Sequence, residues 1–189
     1  LFGDALPQCL ITLQRRAGAR GYYWNKIFEA RAEAAGVAAE TDEIALNPVH
    51  FQGRTDAEIP STLVHEMVHL WQYHFGNPGR SRYHNREWAN RMESVGLMPS
   101  DTGLPGGKRT GQRVTHYVLA GGPFDLAVRE LLAGGFRLNW QSRQGDDKGR
   151  PVSKVKYTCA KCGQNAWAKP GASLVCGFCA AAMRAEGEK

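Results

Sequence analysis

No uncharged apolar run in this chain reaches the roughly eighteen residues needed to cross a bilayer, so no membrane partner is expected. No internal repeat and no long low-complexity segment occur, which sets aside solenoid and fibrous architectures. No secretory signal pattern is visible; a reducing, cytoplasmic setting is expected, and with it free thiols and not disulfides. Cysteine is nearly missing from the first 133 residues, where only Cys9 occurs and reads as a small buried hydrophobe. Acidic residues thin out at the other end. Residues 1–133 hold 14 Lys/Arg against 14 Asp/Glu, while residues 134–189 hold 10 against 4, so the formal net charge of +6 lies in the tail. With 189 residues and 42% hydrophobic content, the chain has enough apolar material for one medium domain and a small module, and is not a disordered polymer.

Chemistry is concentrated in His65-Glu66-Met67-Val68-His69. Residues i and i+4 share one helix face, so both imidazoles can reach one metal ion. Zinc accepts neutral imidazole, keeps a position open for water in catalytic sites and acidifies that water to a pKa of about 7. The adjacent Glu66 is suited to take the proton, so the pattern points to metal-assisted hydrolysis of a peptide bond. The surroundings read as a helix over 57–75. Leu63, Val64, Met67, Val68, Leu70, Trp71 and Phe75 place apolar groups on most of its sides, as in a buried helix, where two His and a Glu need partners. Thr55-Asp56 or Ser61-Thr62 are the N-cap candidates, Pro60 is tolerable in the first turn, and Gly76-Asn77-Pro78-Gly79 supplies the stop.

A catalytic zinc usually has three protein ligands. His84 follows His69 by fifteen residues and Glu87 by eighteen, and spacing alone leaves the choice open. If His84 is the ligand, Glu87 is a candidate to orient one. Asn85 to Val95 reads as an amphipathic helix closed by Gly96, with His84 at its start. His74 lies off the ligand face. His50 and His116 fall in apparent strands, where a satisfied structural role is the default reading. Tyr83, His116 and Tyr117 are the candidates for stabilising a transition state.

The other four cysteines form Cys159-Ala160-Lys161-Cys162 and Cys176-Gly177-Phe178-Cys179, with thirteen residues between the pairs. Two such pairs indicate a structural zinc held by four thiolates, with Gly163 and Gly177 easing the turns. Zinc and four thiolates together would subtract two from the tail's excess, leaving about +4. Basic residues interleaved with aromatics suit phosphate contact and base stacking. The candidate nucleic-acid contacts are Arg137, Arg143, Lys154, Lys156, Lys161 and Trp167.

Along the chain, residues 9–15 read as a strand, Gly18–Gly21 as a turn, Tyr22–Trp24 as the opening of a second strand and 42–51 as a third. An antiparallel meander beside the metal helix would let an edge strand lay an extended peptide across the metal. Residues 99–113 read as a mobile, basic Gly/Pro-rich loop, 124–133 as a short helix, Phe136–Ser142 as a strand leading into the cysteine module, and Gln144–Arg150 as a charged turn. Leu1–Pro7 has no polar lead-in and reads as the start of a piece whose upstream helix is not included.

In this order the features resemble the SprT-like zinc metallopeptidases, the family that includes the eukaryotic DNA-repair protease Spartan. The resemblance implies an α+β fold: a zincin-type metallopeptidase domain over 1–135, built from a β-meander and the motif helix, and a four-cysteine zinc ribbon over 136–189. It implies two zinc ions. His65, His69 and His84 would hold the catalytic one with Glu66 as general base, and Cys159, Cys162, Cys176 and Cys179 the structural one. The family often has Gly after the third His and Phe three residues further on; here these are Asn85 and Trp88. The expected partners are a protein substrate and single-stranded or damaged DNA, the expected place the cytoplasm, at the nucleoid when DNA is bound. The competing expectations are a protease with a specific target independent of DNA, and a non-enzymatic zinc-containing DNA-binding protein. An intact Glu66 weighs against the latter.

Overall fold

A computed structural model describes residues 1–3, 6–31, 39–143 and 154–186. It contains two compact units, Leu1–Gly145 and Asp146–Lys189. The elements of the first are β1 (Cys9–Leu13), β2 (Gly21–Glu29), β3 (Glu40–Leu46), α1 (Ile59–Phe75), α2 (Arg86–Ser94), β4 (Leu97–Ser100), β5 (Thr115–Val118) and α3 (Pro123–Ala133). The second holds β6 (Val155–Cys159), β7 (Asn165–Ala168), β8 (Val175–Cys176) and β9 (Ala181–Ala185). The architecture is mixed α and β, as expected. Among the described residues no helix is long and apolar enough to cross a membrane.

The first sheet is not a meander. Its order is β1-β3-β2, with β3 parallel to β1 (Ile11 opposite Ile44) and antiparallel to β2 (Tyr23 opposite Ile44). The reason lies in burial. Asp42 through Leu46 are all buried, and a strand covered on both faces belongs in the middle of a sheet, whereas β1 and β2 expose much of their length. Asn47 keeps the β1–β2 connection against the end of β3, its Nδ2 donating at 2.8 Å to both Arg16 O and Ala19 O. Among the described residues one edge of β2 thus has no partner strand.

The strand expected over 42–51 stops at Leu46, because Pro48 cannot extend the ladder. Pro48–Phe51 form a 3-10 turn, capped by Asn47 Oδ1 accepting from Val49 N, and His50 lies in this turn and not in a strand. Thr55 and Glu58 form a reciprocal box in the turn before α1: Glu58 N donates to Thr55 Oγ1, and the Glu58 carboxylate accepts from Thr55 N. The residue preceding the helix is Glu58, whose side chain makes no cap bond to it, so the expected Thr55-Asp56 cap lies short of the helix start. Ser61-Thr62, the other cap candidate, is already inside the helix. Val64 and Val68 of α1 pack with Trp88, Ala89 and Met92 of α2, and with Val95, Leu97, Val114, Phe124 and Val128, in the main core.

Asn85 caps α2 by accepting from Trp88 N at 3.0 Å, with an ordinary φ of −83°. The 99–113 segment is not a loose loop. Pro99 and Ser100 belong to β4, and the turn beyond is tied internally by Asp101 N to Lys108 O, Lys108 N to Asp101 Oδ1 and Ser100 Oγ to Leu104 O. The strand expected over Phe136–Ser142 does not form. Leu138 packs beside Leu46, Phe51 and Ile59, and Ser142 bonds to Pro48 O and Gln52 Nε2, so this stretch joins the first unit without a neighbouring strand. The charged turn expected over 144–150 lies outside the described residues.

The second unit is a sheet of order β7-β6-β9-β8. Its interior is small. Tyr157 is buried, and its hydroxyl donates to Lys169 O and accepts from Ala172 N.

Gly96 closes α2 at φ +88°, where a side chain would meet the backbone nitrogens of Phe124 (2.9 Å) and Pro123 (3.0 Å). Both the left-handed backbone and the contact oppose any Cβ. Gly96→Ala should therefore destabilise the chain by about 1–3 kcal/mol, read from the midpoint of denaturant unfolding.

Candidate metal centres

The motif helix presents its residues as the i, i+4 rule requires. His65 and His69 project from α1, and His84 enters from the residue preceding the Asn85 cap of α2. One ring nitrogen from each of His65, His69 and His84 lies within 4.8 Å of the others, and the three could hold a metal ion. The Nε2 atoms of His69 and His84 face each other at 3.2 Å. Trp88, fully buried, underlies all three. It stacks with His69 at 5.3 Å and meets His65 and His84 edge-on at 4.9 and 4.3 Å between centroids.

Burial keeps these rings uncharged. Desolvation and then neighbouring imidazoles push the His65 pKa well below 6.5; desolvation and His84 bring His69 to about 3. His84 is lowered by burial too, partly opposed by its bond to Gly111 O. That bond, Nδ1 to Gly111 O at 3.1 Å, makes Nδ1 the donor and leaves Nε2 its lone pair. The backbones of His84 and Gly111 also exchange hydrogen bonds at 2.9 and 3.1 Å, so the end of the 99–113 segment is what aims this ring. A neutral, convergent set of imidazoles suits a divalent cation.

Glu66 is buried on the same helix and lines the adjoining cleft, of about 670 Å³, together with Gly21–Asn25 of the unpaired edge of β2. Tyr83 and His116 line it as well; Tyr117 and His50 do not. Glu87 does not reach the histidines. Its carboxylate accepts from Asn77 N at 2.7 Å and Gln72 Nε2 at 2.8 Å, tying the end of α1 to the start of α2. His74 turns away to the buried Asp42 carboxylate, 2.6 Å off. Burial works against that carboxylate's charge, but bonds from His74, Lys26 N and Tyr23 outweigh it and hold its pKa below the usual range. Sequence reasoning gave His116 a default structural role. In the fold its Nδ1 lies 3.2 Å from Nδ1 of His65, and desolvation, with Arg54 and Arg20 nearby, lowers its pKa to about 4. Nothing in the sequence pairs it with residue 65, fifty-one positions away.

In the second unit Cys159, Cys162, Cys176 and Cys179 bring their sulfurs within 4.8 Å of one another and could hold a metal ion; none is in a disulfide. The backbone N–H groups of Cys162 and Lys161 donate to Cys159 and lower its pKa to about 7, while bonding to Cys162, burial and adjacent sulfurs push Cys179 up to about 12. Four crowded sulfurs resist full ionisation unless a cation joins them. The turns are equivalent, but their left-handed residues are Gly163 (φ +74°) and Ala180 (φ +49°); Gly177, expected in this role, has no positive φ.

The basic candidates divide between the units. Arg137 and Arg143 belong to the first, where Arg137 Nη1 donates to Leu132 O and Phe136 O at the end of α3. In the second, Lys154, Lys161 and Trp167 are exposed, and Lys156 stands directly across the β6–β7 ladder from Trp167.

The Trp88 platform can be tested. Trp88→Ala should cost about 3–5 kcal/mol of stability, the range for emptying a buried aromatic site. Trp88→Phe should cost much less, about 1.5 kcal/mol or under, because it also removes Nε1, a buried donor without a partner among the described residues. Denaturant unfolding of both variants gives the comparison.

Comparison with known proteins shows the family. The model of the SprT-like family matches residues 8–113. A Protein SprT from Salmonella paratyphi C is 39% identical over 146 residues, covering 73% of this chain and 74% of the relative. One from Vibrio parahaemolyticus serotype O3:K6 is 37% identical over 87 residues, covering 45% of this chain, and one from Salmonella arizonae 40% identical over 77 residues, covering 39%. In those two matches the chain spans about half the relative's length, 52% and 44%. No solved structure matches. The matched span carries β1 through the histidine cluster and the Gly111 contact that orients it, and on that span the chain belongs to the SprT-like family.

Proposed function

We propose that the chain is a zinc-dependent endopeptidase that acts on DNA-associated proteins and is recruited or stimulated by DNA. The observation that carries the reading is the convergence of three uncharged imidazoles, His65, His69 and His84, beside Glu66 in a cleft bordered by an unpaired strand edge. A bound zinc ion would supply Lewis-acid chemistry, acidifying water and polarising the scissile carbonyl. The chain's own residues do the rest. The free edge of β2 pairs with an extended peptide and holds it across the cleft. Glu66 takes the proton of the attacking water and returns it to the leaving amine. Its burial on a rigid helix keeps the carboxylate in place for both transfers.

The four cysteines hold a second, structural zinc, which supplies much of the folding energy of the small second unit. Lys156 and Trp167, neighbours across one ladder, provide a cation beside a stacking surface for single-stranded DNA. Such a role belongs in the cytoplasm, at the nucleoid. The competing reading is a protease with a specific protein target. It gains from Arg137, whose guanidinium is engaged at the end of α3.

Metal-replete protein should contain two zinc ions per chain by elemental analysis. Cys176→Ser should remove one and unfold the second unit while sparing the other; His84→Ala should remove the other, and Glu87→Ala should not. A single zinc that disappears with Cys176→Ser would rule out the catalytic centre.

Glu66→Gln should hold zinc normally and lose at least ~10²-fold in peptide cleavage, the scale of general-base catalysis. Single-stranded DNA should stimulate the wild type, added salt should abolish the stimulation, and removal of residues 146–189 should reduce it. Strong cleavage indifferent to DNA and salt would leave the protease and favour the specific-target reading.

A further inference from the structure

The three histidines do not merely converge; each must present a lone pair. An uncharged imidazole carries one N–H, and which nitrogen holds it is decided by the partner of the other. His84 is settled by Gly111 O. Among the described residues His65 has no carbonyl in that position. Its Nδ1 faces another imidazole nitrogen, Nδ1 of His116, at 3.2 Å, and two such nitrogens form a bond only when one donates and the other accepts.

The direction is set at the far end of a chain of bonds. Ser61, buried on the first turns of α1, has a single hydroxyl proton and gives it to Glu58 O at 2.7 Å. Its Oγ lies 2.9 Å from His116 Nε2 and can only accept there, so Nε2 carries the proton of His116. His116 Nδ1 is then an acceptor, and the proton between the two rings belongs to His65 Nδ1. Nε2 of His65 keeps its lone pair. We propose that His116 is a positioning residue which, backed by Ser61, fixes His65 in the tautomer that offers Nε2 to the metal. The inference rests on the metal reading of the histidine cluster. It assigns a common task to one segment: Gly111 and His116, five residues apart before and within β5, orient two of the three imidazoles.

Long-range proton–nitrogen correlation spectra of the metal-free ¹⁵N-labelled full chain report the tautomer, and chelator competition reports zinc affinity at the histidine cluster, with the ribbon zinc as internal control. The wild type should show His65 protonated at Nδ1 and His116 at Nε2. His116→Leu should weaken zinc at the cluster by about 10–100-fold, the usual effect of losing a partner behind a ligand, and spread His65 over both tautomers. His116→Asn, whose carboxamide oxygen can stand in for Nδ1 as acceptor, should recover affinity to within about threefold of wild type. Ser61→Ala should mix the tautomers of His116 and His65 together. Wild-type His65 protonated at Nε2, a folded His116→Leu with unchanged affinity, or no recovery in a folded His116→Asn would each overturn the assignment and leave the proposed protease standing. A wild type without zinc at the cluster would instead overturn the metal reading, and this inference with it.

Discussion

Trp88 is the contact on which the histidine cluster depends. It projects from the first turn of α2, is sealed from solvent, and lies against His65, His69 and His84 at once. Through it the docking of α2 on α1 and the spacing of the imidazoles become one packing problem. A ring of this size fixes the separation of the two helices, and interiors at crystal-like density do not yield by fractions of an ångström without cost. An aromatic platform also takes solvent from one side of the rings. The low pKa values of His65 and His69 follow first from that desolvation.

Buried polar groups around the cluster must be satisfied internally, and the way this is done explains the segments around it. Glu87 is the clearest case. From spacing it competed with His84 for a place in the cluster. In the fold its carboxylate is held by Asn77 N and Gln72 Nε2, and the Asn77 bond is the leading reason its pKa falls. It closes the corner between the helices, so that His84 enters the cluster at a fixed angle. Gln72 also donates to Asn85 Oδ1, the oxygen that caps α2. Cap, corner and cluster therefore form one continuous network, and the Asn found where the family often has Gly contributes to it directly.

What was legible in the sequence was whatever depended on local spacing. The motif helix, the Asn85–Gly96 helix and the paired cysteines each write their geometry within a few residues. The order β1-β3-β2 was not legible, because strand order depends on which strand is covered on both faces. The 99–113 segment looked loose because its glycines and prolines are visible in sequence and its bonds among Ser100, Asp101, Leu104 and Lys108 are not. Phe136–Ser142 alternates as a strand does, yet a strand needs a neighbour, and only Leu138 found a place in a core. His116 was invisible as a partner of His65 because a contact across fifty-one residues leaves no periodicity.

The two donor sets answer the same electrostatic question in opposite ways. Three imidazoles bring no charge, so a divalent cation among them would keep its full +2 and act strongly on whatever entered the remaining position. In the proposed reading Glu66, on the same helix and lining the same cleft, is the carboxylate available to offset that charge. Four thiolates bring four negative charges, so the same cation there would end at −2 and have no open position. The difference in surroundings fits. The imidazoles lie against a tryptophan and border a cleft, whereas Cys159 is stabilised by backbone N–H groups of its own turn and Cys162 is exposed. In the proposed reading one set leaves charge unsatisfied beside the cleft and the other neutralises charge where the small unit needs a staple, and each is built from the residue type whose protonation state allows it.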